Sequence, residues 1–417
     1  MFSPETLEDH QAIWDAAVAE NIFVICKTPM AKKITRRTLL GFRSGKTNMW
    51  APEDLINKIK NQPELFIKKV GDLVGKNVKI NAIVGNPPYQ VMDGGAGASA
   101  MPVYNQFVEM ANNIKPLYIS LITPSRWMTG GRGLEAFRIK MIKDTRLRVI
   151  HDYFDSNDIF SNVDIKGGIS YFLLDLNYNG VCNLFTHLND EVIVSHRHLG
   201  KSGNDVFIRH PKMAKIKESL CFSESFDKMV SSMKPYGLRG DFFANPSKYN
   251  LPKVSNTHIQ SGIKIHGLDT KQNRVIRYVE KAYPLPASNG LWKYKIFVPR
   301  NYGIGLIGEA PSNPILASPG EACTETFIQI GPFNTHCERD NCDKYMKTKF
   351  FRCIVSMRKS DQGAGKNVYN FVPMQDFTED SDIDWGKSVA EIDAQLYAKY
   401  NLSDEEITFI ESMIKPM

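Results

Sequence analysis

Four residues at positions 86–89, Asn-Pro-Pro-Tyr, combine groups that can hold an aromatic amine. They follow the apolar run INAIVG, residues 80–85, which predicts a short buried strand. A residue before proline is disfavoured in helical geometry, so Pro87 and Pro88 predict a rigid, extended corner. Asn86 adds an amide oxygen, the prolines leave carbonyl acceptors, and Tyr89 adds a flat ring. The corner therefore predicts a pocket that accepts two hydrogen bonds from an amino group and stacks on its ring.

An aromatic amine is a poor nucleophile because its lone pair is delocalised into the ring. Two acceptors that hold both amine hydrogens favour the pyramidal form, which frees the lone pair to attack an electrophilic methyl group. The amine of adenine lies inside the base stack of a duplex, so this chemistry requires the base to rotate outwards onto an aromatic platform. A rigid turn without chemistry is the alternative interpretation of the same four residues.

The segments after the corner predict alternating helices and strands. The spacing of apolar residues predicts helices at 102–114 and 133–144 and strands at 117–127 and 146–154. Residues 167–188 then predict two strands joined through Asn179-Gly180, a strong hairpin signal. This order predicts an α/β fold whose sheet ends in a reversed β-hairpin at one edge.

Three regions follow from these patterns. Residues 1–75 predict a helical N-terminal segment, because proline and acidic residues precede apolar residues at helical spacing. Residues 76–200 contain the regular alternation of strands and helices. Residues 201–417 mix short strands with helical segments such as 342–359, which predicts a separate mixed α/β domain.

The composition limits the class of protein. With 417 residues, 42% of them hydrophobic, the chain can bury more than one core. The net charge of +7 suits a polyanionic partner, although an ordinary enzyme with a solvated basic face has the same charge. Seven cysteines without a CxxC pair predict reduced thiols, and the spacing of His336, Cys337 and Cys342 matches no common zinc module. No apolar run reaches the ~20 residues of a membrane span. We therefore expect a cytoplasmic protein without a metal or a membrane partner.

The NPPY motif and its surroundings resemble the adenine-specific DNA amino methyltransferases of type II restriction-modification systems. The resemblance covers roughly residues 80–417 and includes PVYNQFVEMANNIKPLYISLITPSRW, DIKGGISYFLLDL, GEACTETFIQIGPF, YMKTKFFRCIVSMRK and YNFVPMQDF. It implies a partial Rossmann-like methyltransferase sheet and a C-terminal mixed α/β domain that recognises double-stranded DNA. It also implies S-adenosylmethionine as the methyl donor.

The resemblance also implies roles for individual residues. In this family the asparagine and the first proline bind the target amine and the tyrosine stacks on the base. Catalytic roles are therefore expected for Asn86, Pro87, Pro88 and Tyr89. An aromatic residue of the later hairpin commonly packs on the flipped base, and Phe172 is the expected residue.

Two later segments imitate phosphate-binding loops. RKSDQGAGKN lacks the first glycine of such a loop, and we expect Arg358, Lys359 and Lys366 in it to contact the DNA backbone. GIGLIG, residues 303–308, formally satisfies GxGxxG, but the prolines that follow predict a turn. The glycine-rich residues 92–102 predict a flexible loop over the substrate.

In the family order that fits this chain, an acidic residue and a Gly-x-Gly turn follow an opening strand ahead of the NPPY motif and bind the methyl donor, and residues 1–85 contain no such strand and turn. The donor-binding residues are therefore unknown. A sheet cut at this point would expose strand edges, so we expect a second subunit, or a second copy of the chain, to complete it. Two alternatives are a DNA-binding specificity component without activity and a methyltransferase that acts on RNA or protein.

Overall fold

The N-terminal region is mainly helical, as predicted. The computed structural model describes residues 7–74, 79–91, 101–129, 133–161, 163, 165–188, 190–199, 206–250, 254–285 and 290–417. The first elements are α1 (Leu7–Glu20), β1 (Phe23–Ile25), α2 (Pro29–Leu40), β2 (Asn48–Trp50), α3 (Leu55–Asn61) and α4 (Glu64–Val74). β1 and β2 form a two-stranded parallel sheet that the sequence patterns did not predict. Such a small sheet is marginal alone, and here Ile25 and Trp50 pack on a core that includes Phe66 and Met110.

A six-stranded sheet forms the central region. Its elements are β3 (Ala82–Gly85), β4 (Gln90–Val91), β5 (Met101–Pro102), α5 (Tyr104–Ile114), β6 (Tyr118–Pro124), α6 (Glu135–Lys143), β7 (Leu147–Tyr153), β8 (Ile169–Asp175), β9 (Cys182–Leu188) and β10 (Glu191–Arg197). The order across the sheet is β10-β9-β7-β8-β6-β3, and β4 and β5 form a separate small ladder. β3 is parallel to β6, β7 is parallel to β9, and β8 is antiparallel to both of its neighbours.

The predicted hairpin through Asn179-Gly180 is wrong. Both strands exist, but β7 lies between β8 and β9, so the reversed strand is inside the sheet and not at its edge. β8 already pairs with β6 and β7 on its two sides, which leaves no edge for β9. The connection instead passes the start of β7, where the Gly180 N–H donates to the Thr145 carbonyl at 3.3 Å. The antiparallel hairpin at this edge is formed by β9 and β10.

Helices α5 and α6 cover one face of the sheet. Side chains of a strand alternate between the two faces, so every second residue of β6, β7, β8 and β9 enters this core. The buried cluster includes Leu121, Ile150, Phe172 and Leu184, together with Trp127 from the turn after β6. The core fixes the register of the sheet, because a shift by one residue would turn these side chains outwards.

The C-terminal region contains two three-stranded sheets and five helices among the described residues. Its elements are α7 (Pro211–Ser219), β11 (Ile263–Leu268), β12 (Arg274–Val279), β13 (Tyr294–Pro299), β14 (Ile315–Ala317), β15 (Glu321–Cys323), β16 (Phe327–Phe333), α8 (His336–Lys347), α9 (Lys349–Ser356), α10 (Val389–Lys399) and α11 (Asp404–Met413). The sheet orders are β12-β11-β15 and β14-β13-β16. Two large buried clusters fill this region, which confirms a mixed α/β fold with several sheets.

Local capping explains the helix boundaries of this region. The continuous helical pattern predicted over 342–359 is divided between α8 and α9, because the Thr348 hydroxyl accepts a hydrogen bond from the Phe351 N–H and begins a new helix. Ser388 and Ser403 begin α10 and α11 with reciprocal capping boxes. Within the part of the chain that the structure describes, no helix is long and apolar enough to cross a membrane.

A buried ion pair joins the central sheet to the segment that follows it. Both Asp152 oxygens accept hydrogen bonds from Arg209, at 2.6 and 2.8 Å. The Ser125 hydroxyl donates to the same carboxylate at 2.6 Å, and Arg209 also donates to the Gly167 carbonyl at 2.9 Å. Asp152 is fully buried and Arg209 is 6% exposed. The ends of β6 and β7 and the start of β8 are therefore held by one guanidinium group.

Removal of this guanidinium should destabilise the fold strongly. We expect Arg209→Met to lower the free energy of unfolding by about 3 to 5 kcal/mol, because it leaves the Asp152 carboxylate buried and unpaired. Urea denaturation followed by far-UV circular dichroism measures the change. The matched control is Glu109→Gln, which breaks the exposed Lys140–Glu109 pair and should have a much smaller effect. Equal stability of Arg209→Met and wild type would show that the network is not structural.

Candidate functional site

The Asn86–Tyr89 corner lies where the sequence predicted it, directly after β3. Pro87 is buried, Pro88 and Tyr89 are half-buried, and Asn86 is exposed. The Tyr89 ring packs against the core of the central sheet, and its carbonyl accepts a hydrogen bond from the Val103 N–H at 3.1 Å. The two prolines therefore turn the chain away from the end of β3 and return it to the sheet at the tyrosine.

Tyr89 remains a neutral, flat side chain at physiological pH. Burial raises the pKa of its phenol to about 12, against an opposing contribution from the Asn86 side chain. Its buried hydroxyl has no hydrogen bond of standard geometry to a described residue. A neutral aromatic ring suits a stacking contact with a heterocyclic base.

A cavity of about 770 Å³ adjoins the corner. Tyr89 and Tyr104 contribute to its wall from the central region, together with Arg126 from the turn after β6. The C-terminal region contributes Arg300, Arg358 and residues 360–365. The cavity is thus built by both regions. Asn86, Pro87 and Pro88 lie outside its lining, so the corner presents only its tyrosine to this space.

The cavity wall carries an excess of positive charge. Five cationic side chains line it, against two acidic ones: Arg126, Arg138, Lys166, Arg300 and Arg358, with Glu135 and Asp361. Arg126 and Asp361 form an ion pair of 3.2 Å across the two regions, which neutralises one charge of each sign. A concave site with this charge concentrates polyanions such as nucleic acid.

Phe172 does not lie at the site. It is 1% exposed and belongs to the core beneath α5 and α6. Helices α5 and α6 cover the face of β8 that carries Phe172, so Phe172 cannot reach a flipped base without unfolding the core. Its neighbour Tyr171 points to the opposite face and stacks on His151 with ring centroids 4.6 Å apart. The base-stacking role expected for Phe172 is therefore wrong.

The three predicted DNA-contacting residues divide into different environments. Lys359 is buried and paired with Glu309, so its ammonium group is not available to a phosphate and that prediction is wrong. Arg358 lines the cavity, with its guanidinium 4.7 Å from the centroid of the Phe371 ring. Lys366 is exposed in a single 3₁₀ turn, and its contact with DNA stays a prediction.

Sequence reasoning missed Tyr104, Arg126 and Arg300. The first two lie in PVYNQF and TPSRW, segments that had been assigned to elements but not to a site. A usable signal was present, because the turns after β3 and β6 lie at the carboxyl ends of neighbouring parallel strands, where ligands bind in open α/β sheets. Burial raises the pKa of the Tyr104 phenol, in spite of opposing contributions from Arg126 and the Trp127 backbone.

The described residues do not form a methyl-donor site of the expected type. The turn after β1 is Cys-Lys-Thr-Pro, residues 26–29, in which the Thr28 hydroxyl caps α2, and it contains no glycine. The predicted loop over the substrate, residues 92–102, lies outside the described residues except for Met101 and Pro102. The donor-binding residues therefore remain unassigned within the ranges that the structure covers.

Comparisons with known proteins agree with these features. Residues 20–160 match the family model described as Eco57I restriction-modification methylase. A segment of 106 residues is 37% identical to an uncharacterized adenine-specific methylase of Mycoplasma pneumoniae, and covers 25% of this chain and 25% of that protein. The type IIL restriction-modification enzyme MmeI, solved in complex with DNA, superimposes with a TM-score of 0.50 at 10% identity over 91% of this chain and 62% of that chain.

These matches support different conclusions. The likeness to MmeI shows a shared fold, and the present chain spans a quarter of its Mycoplasma relative and under two thirds of MmeI. The family match contains the NPPY corner, β3, β6 and the turn that carries Arg126. The comparisons confirm that this chain resembles the adenine-specific methyltransferases of restriction-modification systems, with the Eco57I methylase match over residues 20–160.

Proposed function

We propose that this chain binds the target adenine of a site-specific DNA methyltransferase in a restriction-modification system. The observation that carries the proposal is the Asn86–Tyr89 corner at the end of β3, whose tyrosine faces a cationic cavity. The family match over residues 20–160 and the adenine-specific methylase relative support it.

Each residue of the corner has a separate task in this proposal. The amide oxygen of Asn86 and the carbonyl oxygen of Pro87 accept the two hydrogens of the adenine amine, while Pro88 keeps the corner rigid. The Tyr89 ring stacks on the base after it leaves the duplex. S-adenosylmethionine supplies an electrophilic methyl group when bound. Because two neutral acceptors polarise the amine, no charged base is needed at this corner, and the proton that the amine loses on methylation passes to solvent.

In this proposal the DNA binds at the cavity. Its cations attract the phosphodiester backbone, and a volume of about 770 Å³ is enough for a nucleotide and its flanking phosphates. We propose that residues 76–200 bind the target base and that residues 201–417 read the duplex, with residues 1–75 as a helical attachment. The separate hydrophobic clusters of the central and C-terminal regions support this division.

The donor site is proposed to come from a second subunit or a second copy of the chain. Among the described residues β3 pairs only with β6, and its other edge is open. Val84 on this strand is 75% exposed, and Asn86 is exposed at the end of the same edge. A strand added beside β3 would shield part of Val84 and bring a donor next to Asn86.

A second candidate function is a DNA-binding specificity component without activity of its own. The observation that favours it is the lack of a glycine-rich donor turn among the residues that the structure describes. Both functions use the cationic cavity, and they differ in whether the Asn86 amide takes part in a reaction.

Substitution of the asparagine separates the two functions. We expect Asn86→Ala to lower methyl transfer by at least about 100-fold, because one of the two acceptors for the amine is lost. Transfer of tritium from labelled S-adenosylmethionine to plasmid DNA, with the donor-site partner present, measures the effect. DNA affinity should stay within about twofold of wild type, since the side chain lies outside the cavity. Undiminished transfer would refute the assignment of this site.

The tyrosine should act through its ring and not through its hydroxyl. We expect Tyr89→Phe to retain binding of a duplex with a single bulged adenine, and Tyr89→Ala to weaken it by about tenfold, in line with ~1 to 3 kcal/mol for one base stacked on an aromatic ring. Fluorescence anisotropy with labelled duplexes measures both affinities. A loss in Tyr89→Phe equal to that in Tyr89→Ala would contradict stacking and favour a role for the hydroxyl.

The origin of the donor site can be tested by calorimetry. We expect the chain alone to show no saturable binding of S-adenosylmethionine, with or without duplex DNA, because the described residues contain no donor turn. Titration of S-adenosylmethionine into buffer without the chain is the control for the heat of dilution. Saturable binding by the chain alone would overturn the proposal that a partner supplies the donor site.

A further inference from the structure

The glycine-rich turn GIGLIG is closed around a carboxylate of its own chain. The N–H groups of Ile304 and Gly305 donate to one Glu309 oxygen at 2.7 and 3.1 Å, and Gly305 also donates to the second oxygen at 3.0 Å. Successive backbone N–H groups of this kind commonly form a binding site for an external anion. Here the anion is internal, and residues 303–308 form a turn as predicted.

Lys359 binds the same carboxylate from the other side. Its ammonium group forms an ion pair with Glu309, and both side chains are largely buried, with 2% and 15% of their surface exposed. The ammonium also lies 4.4 Å from the centroid of the Tyr302 ring. Burial opposes the charge on Glu309, but Lys359 and the turn N–H groups outweigh it and lower the pKa of this carboxyl. Burial lowers the pKa of the Lys359 ammonium group in turn, against the opposing hydrogen bond and charge of Glu309.

The residue after Lys359 is enclosed by two glycines from different regions. A Cβ atom at Gly305 would lie 2.3 Å from the Ser360 carbonyl group, and a Cβ atom at Gly167 would lie 2.6 Å from the Ser360 oxygen. Gly305 also has a φ of +100°, which L side chains rarely adopt. Both contacts require glycine, so the Ser360 backbone is held between the turn and the start of β8.

The same segment reaches the cavity. Arg126 pairs with Asp361, and the Thr129 hydroxyl contacts the Ser360 hydroxyl from the central region. From the C-terminal region, the Tyr302 N–H donates to the Gln362 carbonyl at 2.9 Å. Residues 360–365 then line the cavity that also contains Tyr89. A displacement of Lys359 would therefore change the wall of the cavity.

We propose that Glu309 and Lys359 are positioning residues, which fix the segment 358–365 as a wall of the cavity and so determine how well a flipped adenine fits beside Tyr89. The proposal rests on the proposed function. Neither side chain lines the cavity, so the pair acts through the backbone of Ser360 and the residues after it. The glycine-rich turn, residues 303–308, therefore holds Glu309 in place and through it the wall of the cavity.

The test compares two duplexes that differ by one extrahelical base. One contains a single bulged adenine, which presents a base already outside the stack, and the other is fully paired. We expect wild type to bind the bulged duplex more tightly than the paired one. In Glu309→Gln the ratio of the two affinities should fall about tenfold, because a displacement of about 1 Å in a binding site has effects of this size or larger. Lys359→Met removes the ammonium group at similar length, and we expect the same loss.

A matched control excludes general destabilisation. Asp382→Asn breaks the Lys399–Asp382 ion pair of the same region, which has no contact with the turn, and should keep the wild-type preference. Retention of the preference in both Glu309→Gln and Lys359→Met would overturn the proposal. An equal loss in Asp382→Asn would overturn it as well, because the effect would then be unspecific.

Hydrogen exchange distinguishes failure of this proposal from failure of the proposed function. We expect amide exchange in residues 358–365 to be at least about tenfold faster in Glu309→Gln than in wild type and Asp382→Asn, since the anchor of the segment is lost. If wild type shows no preference for the bulged adenine, the proposed function fails. In that case unchanged exchange in both anchor variants would also overturn the positioning role of the pair.

Discussion

The carboxylate of Asp152 is the constraint on which the geometry of the site depends. It is a fully buried charge, and such a group is stable only when every oxygen is satisfied. Arg209 and Ser125 satisfy it, and these partners come from the segment after the sheet and from the end of β6. The turn that carries Arg126 begins at Ser125, so the position of this cavity cation depends on a hydrogen bond made inside the core.

The central and C-terminal regions contact each other through ion pairs and through close backbone contacts. The Arg126–Asp361 pair lines the cavity, and so does Ser360, whose carbonyl lies between two glycines. Contacts of this kind require exact distances, whereas purely apolar surfaces tolerate sliding. The cavity therefore has a defined shape although its wall comes from segments more than two hundred residues apart in the sequence.

The sequence predicted the parts of the structure that depend on local geometry. The corner at Asn86 follows from proline stereochemistry, and the N-terminal helices follow from local apolar spacing and early proline and acidic residues. The predictions that were wrong concern residues whose partners are distant in the chain. The Asn179-Gly180 signal cannot reveal that β7 lies between two strands, and the basic character of Lys359 cannot reveal that Glu309 neutralises it. Phe172 was misplaced for the same reason, because the helix-covered face of β8 depends on tertiary packing.

Among the described residues one edge of β3 is unpaired, which affects how the protein assembles in the cell. An exposed strand edge is a template for pairing with another extended chain, and Val84 on β3 is 75% exposed. In the assembly proposed above, the order of events therefore matters, since the cognate strand must arrive before an unrelated one does. Synthesis of both proposed partners from adjacent reading frames would meet this requirement, because it raises the local concentration of the cognate strand at the ribosome.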